Sequence, residues 1–192
     1  MSPIDAIKAA TSDAHDSVER SLDDRFFAVA HFEIDDLREI LAAFFGLYEP
    51  LDPLLSERVE AEMTGFDYIC RSERLERDLR DLGMGETKID SLPTLSQTAL
   101  VAPETLPELL GSLYVIEGSS LGNRVLRRRI RSLLGGAELP AEAFFHDDAR
   151  GTRQRWSRFR DRFDRHLTDR EALDSATGAA RSTFQMFEEW LT

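Results

Sequence analysis

The stretch from residue 111 to residue 126 has the apolar spacing of a helix, yet it contains three glycines. Gly118 and Gly122 are four residues apart, so on a helix they lie on one face, one turn apart. Each costs roughly 1 kcal/mol relative to alanine in a helix interior. A chain tolerates this cost where a flat group must approach the bare backbone, or where the helix must bend. We therefore expect this face to contact a ligand or another helix at close range.

Helical periodicity extends over almost the whole chain, and no strand-like alternation of useful length interrupts it. Capping residues, prolines and glycines mark the helix ends. Pro50 and Pro53 are expected to kink or break one apolar segment, and residues 86–98 are expected to form a loop. The predicted helices run from Ser2 to about Leu22, from Asp35 or Asp36 to Tyr48, from Leu54 to Met63, from Ser72 to Leu82, from between Pro103 and Pro107 to Gly135, from Thr152 to Leu167, and from Thr168 or Asp169 to Trp190. The pattern predicts an all-α fold, a compact bundle of about six to eight helices in a single domain over residues 1–192.

Charge and cysteine content limit the classes of function. The chain has 192 residues and a net charge of -12, which argues against general nucleic-acid binding because phosphate contacts need a basic surface. A single cysteine, Cys70, excludes an internal disulfide framework and fits a reducing compartment. The N-terminus lacks a signal-peptide pattern, and no apolar run approaches the ~18 residues that span a bilayer. A cytoplasmic enzyme or binding protein is the expectation.

Among the four histidines, His15 is the one placed well inside an amphipathic helix. Glu19 follows four residues later, within reach of one imidazole nitrogen directly or through water. A carboxylate behind a histidine fixes its tautomer and orientation, as it does for many metal ligands. The residues alone leave two interpretations open, a half-buried histidine with a helical ion pair or a metal ligand.

Other metal centres fit the sequence poorly. A di-iron site in a helical bundle needs Glu-x-x-His pairs, and no Asp or Glu stands three residues before any histidine. One cysteine and scattered histidines make a zinc site equally poor. Cys70 itself follows Phe66, Tyr68 and Ile69 and is interpreted as a packed residue, although a catalytic role for the thiol stays open.

Several segments, taken in order, resemble the bacterial heme oxygenases that produce biliverdin. The sequence IKAATSDAHDSVE at residues 7–19 is similar to that family's proximal helix, including the histidine and the glutamate four residues later. The sequence LYVIEGSSLG at residues 113–122 is similar to the distal helix and is the most specific motif present. The resemblance continues through Phe144 and Phe145, Trp156 and Phe159, and residues 179–191, so it spans nearly the whole chain.

The resemblance implies a helical fold in which heme, both cofactor and substrate, is sandwiched between the first and the glycine-bearing helices. It implies that His15 is the proximal iron ligand and that Glu19 is the partner of His15. Gly118 and Gly122 match the glycines that let the distal backbone approach the porphyrin, and Ser119 stands beside them. Lys8 matches a residue that meets a heme propionate, and Thr11 matches one that lines the proximal side. Phe187 and Phe184 are candidates for an apolar wall, with plain core packing as the alternative.

Some positions depart from the family pattern. Asn123 stands where a second consecutive glycine is usual, which implies a stiffer distal helix or a polar group near the heme edge. Ser119 occupies the position of an aspartate of the animal-type enzymes, so Ser119, Ser120 or water is expected to organise the distal side. The segment from His146 to Gly151 is more acidic than the family's loop. Arg153, Arg155, Arg158 and Arg160 are candidates to join Lys8 at the propionates.

The implied reaction consumes dioxygen and reductant electrons and releases biliverdin, carbon monoxide and ferrous iron. The cluster Arg124, Arg127, Arg128, Arg129 and Arg131 is notable in an acidic chain. It is either a solvated helix end or a docking patch for an acidic electron donor such as a ferredoxin or flavodoxin. A monomer is expected, with no nucleic-acid or membrane partner. Two alternatives remain, namely a heme-binding or heme-storage protein with little turnover, and a fold relative that binds no heme.

Overall fold

Eight helices and no strand form the part of the chain that the computed structural model describes, residues 2–145 and 149–192. The all-α prediction is therefore confirmed. The helices are α1 (Pro3–Ala10), α2 (Ser12–Phe26), α3 (Ile34–Glu62), α4 (Ser72–Asp81), α5 (Glu86–Asp90), α6 (Leu106–Leu133), α7 (Ala149–His166) and α8 (Arg170–Leu191).

The first predicted helix is in fact two helices, because the backbone changes conformation at Thr11. The Thr11 hydroxyl donates to the Ile7 carbonyl at 2.8 Å, and the Arg181 guanidinium donates to the Ala10 carbonyl at 2.8 Å. Side chains therefore donate hydrogen bonds to backbone carbonyls at the junction of α1 and α2. Threonine commonly forms such bonds, and they compete with the hydrogen bonds of a continuous helix. The break separates Lys8 on α1 from His15 on α2.

The predicted break at Pro50 and Pro53 is wrong, because α3 runs continuously through both prolines. Proline at position 50 leaves the carbonyl of Gly46, four residues earlier, without its helical donor. The Leu95 N–H fills that vacancy at 2.8 Å. A Cβ on Gly46 would lie 2.1 Å from the Pro93 carbonyl oxygen, so the absence of a side chain is what lets this loop reach the helix. The loop therefore replaces the hydrogen bond that the proline removes.

Two other boundaries differ from the prediction. Residues 86–90, expected in a loop, form α5, whose Ile89 is buried and supplies the packing that favours this short helix. Helix α7 begins at Ala149, before the predicted Thr152. The ends of α4 and α6 agree with the prediction, since Gly83, Gly135 and Gly136 take positive φ after them.

Helix α8 holds the two helices that the sequence associates with a ligand. Both α2 and α6 pack along it, while α7 lies against α1 and α6 and α4 lies against α3. Where α6 crosses α8, a Cβ on Gly111 would lie 2.0 Å from the Ala176 carbonyl oxygen. The backbones meet there as closely as glycine allows. Within the described residues, no helix is long and apolar enough to cross a membrane.

Candidate functional site

The glycines of α6 have different surroundings, although they share one helix. Gly111 is packed against the backbone of α8, as described above. A Cβ on Gly118 would meet the Trp156 ring of α7 at 3.8 Å, an ordinary van der Waals distance, whereas a Cβ on Gly122 would meet nothing within 4 Å. Gly122 is exposed and Gly118 is partly exposed. Gly122 is therefore the position where bare backbone faces open space.

His15 presents its imidazole to solvent from α2, with 55% of the side chain exposed. One edge of the ring contacts Phe184 of α8, at 5.8 Å between ring centroids. Nε2 lies 3.9 Å from a Glu19 oxygen and Nδ1 lies 3.7 Å from an Asp16 oxygen. These distances are too long for direct hydrogen bonds, so both carboxylates lie near the ring without bonding to it. The imidazole is thus accessible to an iron, with carboxylates placed to orient it.

The helices that carry His15 and Gly122 are joined through α8 and at one end. Phe184 links His15 to α8, and α8 in turn packs along α6. Near the ends of α2 and α6, the Arg129 guanidinium pairs with Asp23 and lies 3.9 Å from the centroid of the Phe27 ring. Helices α2 and α6, which carry His15 and Gly122, are thus connected through α8 and by this ion pair.

Among the other predicted site residues, Lys8 is exposed, whereas Thr11 and Phe187 are less accessible than the sequence implies. Lys8 is exposed in the last turn of α1. Thr11 is buried, and its hydroxyl donates to the Ile7 carbonyl within α1. Phe187 is buried on α8 with its ring edge-on to Tyr48, at 5.9 Å between centroids. Lys8 thus stays available to a ligand, while Thr11 and Phe187 belong to the packed interior.

Ser119 is held by α3 and by its own helix. Its hydroxyl donates to the Ile116 carbonyl at 2.8 Å, and the Tyr48 hydroxyl lies 3.4 Å from the Ser119 oxygen. Burial raises the pKa of Tyr48, so this phenol keeps its proton at neutral pH. The pair places two hydroxyls beside the glycine turn of α6.

A buried ionic network, which the sequence did not indicate, lies directly behind that turn. The Glu117 side chain is 1% exposed, and its two oxygens accept from Arg71 Nη2 at 2.9 Å and from Arg155 Nε at 2.6 Å. Burial acts to lower the pKa of Arg71, but the Glu117 carboxylate and the Tyr68 and Tyr48 hydroxyls outweigh it and the pKa is raised. The one available signal was a glutamate directly after the apolar run from Leu113 to Ile116, where a buried charge needs partners.

Asp52 anchors the segment that supplies Arg71. This carboxylate is 1% exposed and accepts from the Arg71 N–H at 2.6 Å, the Tyr68 hydroxyl at 2.6 Å and the Ser72 N–H at 2.7 Å. The Ser72 hydroxyl also donates to it at 2.7 Å, so four donors satisfy the buried charge. The neighbouring Cys70 is half-buried, and burial together with Asp52 and Glu73 raises the pKa of its thiol, which disfavours a catalytic thiolate.

Cavities occur elsewhere on the molecule as well. One of about 710 Å³ lies beside α2 and α8, and one of about 540 Å³ lies between α7 and residues 65–74. Neither is lined by His15, Gly118 or Gly122. The predicted iron ligand and the predicted distal glycines therefore lie outside both of these cavities.

Comparison with known proteins identifies the family. The family model described as heme oxygenase matches residues 3–192. The chain belongs to the heme oxygenase family. A heme oxygenase of Xanthomonas campestris pv. campestris (strain 8004) is 29% identical over 164 residues, which cover 84% of this chain and 92% of that protein.

Solved structures agree on the fold. The heme oxygenase of Neisseria meningitidis, solved with NO and CO bound, is similar with a TM-score of 0.73 and 22% identity, covering 100% of this chain and 90% of that one. The heme oxygenase of Leptospira interrogans has a TM-score of 0.74 and 21% identity, covering 100% and 98%. The function of the chain is accordingly that of a heme oxygenase, an oxidoreductase that binds heme. A heme-storage protein with little turnover is not favoured.

The residues of the candidate site fit heme. An exposed imidazole is a suitable axial ligand for a heme iron. A flat macrocycle needs an opposing wall without side chains, and Gly122 offers backbone with open space beyond it. Donor chemistry and steric room therefore agree with the cofactor of the family.

The arginine cluster of α6 is partly neutralised within the protein. Arg127 pairs with Glu142, and Arg129 pairs with Asp23. Arg131 donates to the Gly136 carbonyl at 3.0 Å. Arg124 and Arg128 are exposed, and Arg128 donates to the Arg124 carbonyl at 3.2 Å. The positive surface available to a partner is thus smaller than the sequence implied.

Proposed function

We propose that this heme oxygenase cleaves heme to biliverdin, carbon monoxide and ferrous iron, with His15 as the proximal ligand and the Gly122 backbone as the distal wall. Two observations carry the assignment: the His15 imidazole on α2 is accessible, and a Cβ on Gly122 of α6 would meet nothing within 4 Å. When bound, heme supplies the redox-active iron and is also the substrate. The chain's own residues hold it, exclude competing groups and supply protons.

On the proximal side, Glu19 lies near Nε2 of His15 and Asp16 lies near Nδ1. The carboxylate beside the nitrogen that does not ligate the iron would orient the ring. The exposed ammonium of Lys8 is the candidate partner of a propionate, as a charge-assisted contact in an acidic protein. Thr11 and Phe187 support the two walls from behind, since both are buried.

On the distal side, Gly118, Ser119 and Gly122 form a turn without bulky or strongly acidic side chains. The Ser119 hydroxyl, backed by Tyr48, is positioned to orient water above the substrate. With heme bound, a distal side that offers hydroxyls and water as its proton donors would suit ring cleavage. The turn thus matches a ring-cleaving oxygenase.

Electrons come from a separate protein in this proposal. Arg124 and Arg128 are the exposed cations of the α6 cluster, and they would attract an acidic ferredoxin or flavodoxin. We place the enzyme in the cytoplasm as a monomer, in keeping with its acidic charge and single cysteine.

The test begins with hemin binding. Purified protein mixed with hemin is expected to give a Soret band, and ascorbate in air is expected to replace that band with biliverdin absorption. A stable Soret band under these conditions would make the protein a heme binder, and no Soret shift on hemin addition would overturn heme binding altogether.

His15→Ala tests the ligand. We expect a weakened or water-ligated ferric complex without turnover, because the substitution removes the ligating imidazole. His166→Ala at the end of α7 is the matched control and should behave like the unaltered protein. An unchanged Soret spectrum in His15→Ala would contradict the assignment of His15 as the iron ligand.

A further inference from the structure

Glu117 is a buried carboxylate that the proposed reaction does not use, and it immediately precedes Gly118. Each of its oxygens has its own arginine, Arg71 Nη2 at 2.9 Å and Arg155 Nε at 2.6 Å. A side chain that is 1% exposed and held from two directions has one available position. The helix turn that carries it is fixed with it.

The two arginines belong to different parts of the fold. Arg71 precedes α4 and is itself immobilised, since its backbone N–H donates to Asp52 and its guanidinium lies 5.2 Å from the Tyr68 ring centroid. Arg155 belongs to α7, and the next residue, Trp156, is the ring that faces Gly118. The Glu117–Arg155 ion pair and the Gly118–Trp156 contact are therefore adjacent. Together they set the position of α7 along α6.

The same turn has an unusual carbonyl. The Ile116 oxygen accepts from Arg71 Nη2 at 3.2 Å and from the Ser119 hydroxyl at 2.8 Å. Side-chain donors on a helical carbonyl compete with the helix ladder and bend the helix locally. Arg71 thus acts on the glycine turn both through Glu117 and directly on the backbone.

We infer that Glu117 is a positioning residue, and that its clamp between Arg71 and Arg155 sets where the Gly118–Gly122 turn stands over the heme face. This inference rests on the proposed heme site. The clamp connects α7 and the segment before α4 to the site of ring cleavage. A displacement of the Gly118–Gly122 turn would change which edge of the heme ring is crowded.

The central test compares Glu117→Gln with the unaltered protein. Glutamine keeps the shape and removes the charge, so the ionic contacts of Glu117 with Arg71 and Arg155 are lost. In the heme-free protein we expect amide hydrogen exchange at residues 118–122 to rise by about tenfold or more. In the heme complex we expect a changed ratio of biliverdin isomers, while the Soret band that depends on His15 still forms.

A stability control separates positioning from general weakening. Ile89→Ala removes buried side-chain atoms from α5, which is remote from α6, and lowers thermal stability without touching the clamp. It should leave both the local exchange at residues 118–122 and the isomer ratio unchanged. If Ile89→Ala moves them as Glu117→Gln does, the role of Glu117 is structural only.

If Glu117→Gln does not fold, a second variant tests the same inference. Arg155→Lys keeps the charge but loses the planar donor set, and a smaller change in the same two readouts is expected. If unaltered protein binds hemin and neither variant changes local exchange or the isomer ratio, the clamp inference is overturned. If the unaltered protein gives no Soret shift, it is the proposed function that fails, and the exchange comparison on heme-free protein still decides whether Glu117 fixes the turn.

Discussion

Arg129 of α6 and Asp23 of α2 form an ion pair that joins the two helices on either side of the candidate heme face. Both side chains are about half exposed, so the pair alone contributes about 0.2–1 kcal/mol to stability. The Phe27 ring, 3.9 Å from the guanidinium, adds a cation–π contact. Although the Arg129–Asp23 pair is weak, it limits how far α2 and α6 can separate. We therefore expect it to affect heme binding.

Arg129→Ala should therefore have a small effect on stability and a larger effect on heme retention. Urea unfolding of the heme-free protein is expected to show a loss of about 1 kcal/mol or less. Transfer of heme to an acceptor protein is expected to be faster, because the two helices are no longer tied. Arg170→Ala, which removes an exposed pair within α8, is the control and should change neither measurement. Equal heme transfer rates in Arg129→Ala and Arg170→Ala would contradict a role of the Arg129–Asp23 pair in heme retention.

Gly122→Ala should stabilise the heme-free protein and weaken its heme complex. The added methyl meets nothing within 4 Å, so the gain in helix propensity, about 1 kcal/mol, is not offset by a clash. With heme present, the methyl group occupies the space assigned to the ring. Gly178→Ala on α8, where a Cβ also meets nothing within 4 Å, provides the matched control. Thermal unfolding and hemin titration should show stabilisation in both variants and loss of affinity in Gly122→Ala alone.

Gly111→Ala should act in the opposite direction on stability. Its Cβ would lie 2.0 Å from the Ala176 carbonyl oxygen, so α6 and α8 must separate. We expect a loss of about 1–3 kcal/mol, typical of overpacking in a core. Chemical denaturation measures it directly, and a variant as stable as the unaltered protein would show that the helices do not cross as closely as described.

The sequence predicted the helical class, the glycine-bearing helix and most helix ends because these depend on local signals. The capping box of Thr105 with Glu108 at the start of α6 is such a signal. The continuity of α3 could not be predicted, since it depends on the Leu95 N–H reaching the Gly46 carbonyl from a distant loop. The same holds for Glu117, whose two partners lie 46 and 38 residues away. Candidate site residues that belong to a family motif could be proposed from the sequence, whereas the long-range ionic contacts around Glu117 could not.

All three tyrosines of the chain should resist ionisation while the protein is folded. Burial raises the pKa of Tyr48, Tyr68 and Tyr114 above the ordinary value of 10.0. The folded state therefore keeps protons that the unfolded state loses, so the stability from these groups is complete below pH 10 and falls as pH rises above it. Absorbance at the tyrosinate band should stay flat through the ordinary titration range and rise with unfolding, monitored by circular dichroism. Early, reversible titration of one tyrosine would contradict its burial.

The exposed arginines of α6 should control the rate of reduction by an acidic protein donor. Arg124 and Arg128 are exposed, whereas Arg127 and Arg129 pair with carboxylates, so charge reversal at the first two removes positive surface without breaking an internal ion pair. We expect Arg124→Glu with Arg128→Glu to slow ferredoxin-supported turnover by about tenfold or more at low salt and to weaken its salt dependence, because steering raises association rates by 10–10³-fold. Turnover with ascorbate, a small reductant, should be unaffected. Arg170→Glu, an exposed reversal on α8, controls for the change in net charge. If the double variant keeps both its ferredoxin-supported rate and its salt dependence, the donor docks elsewhere.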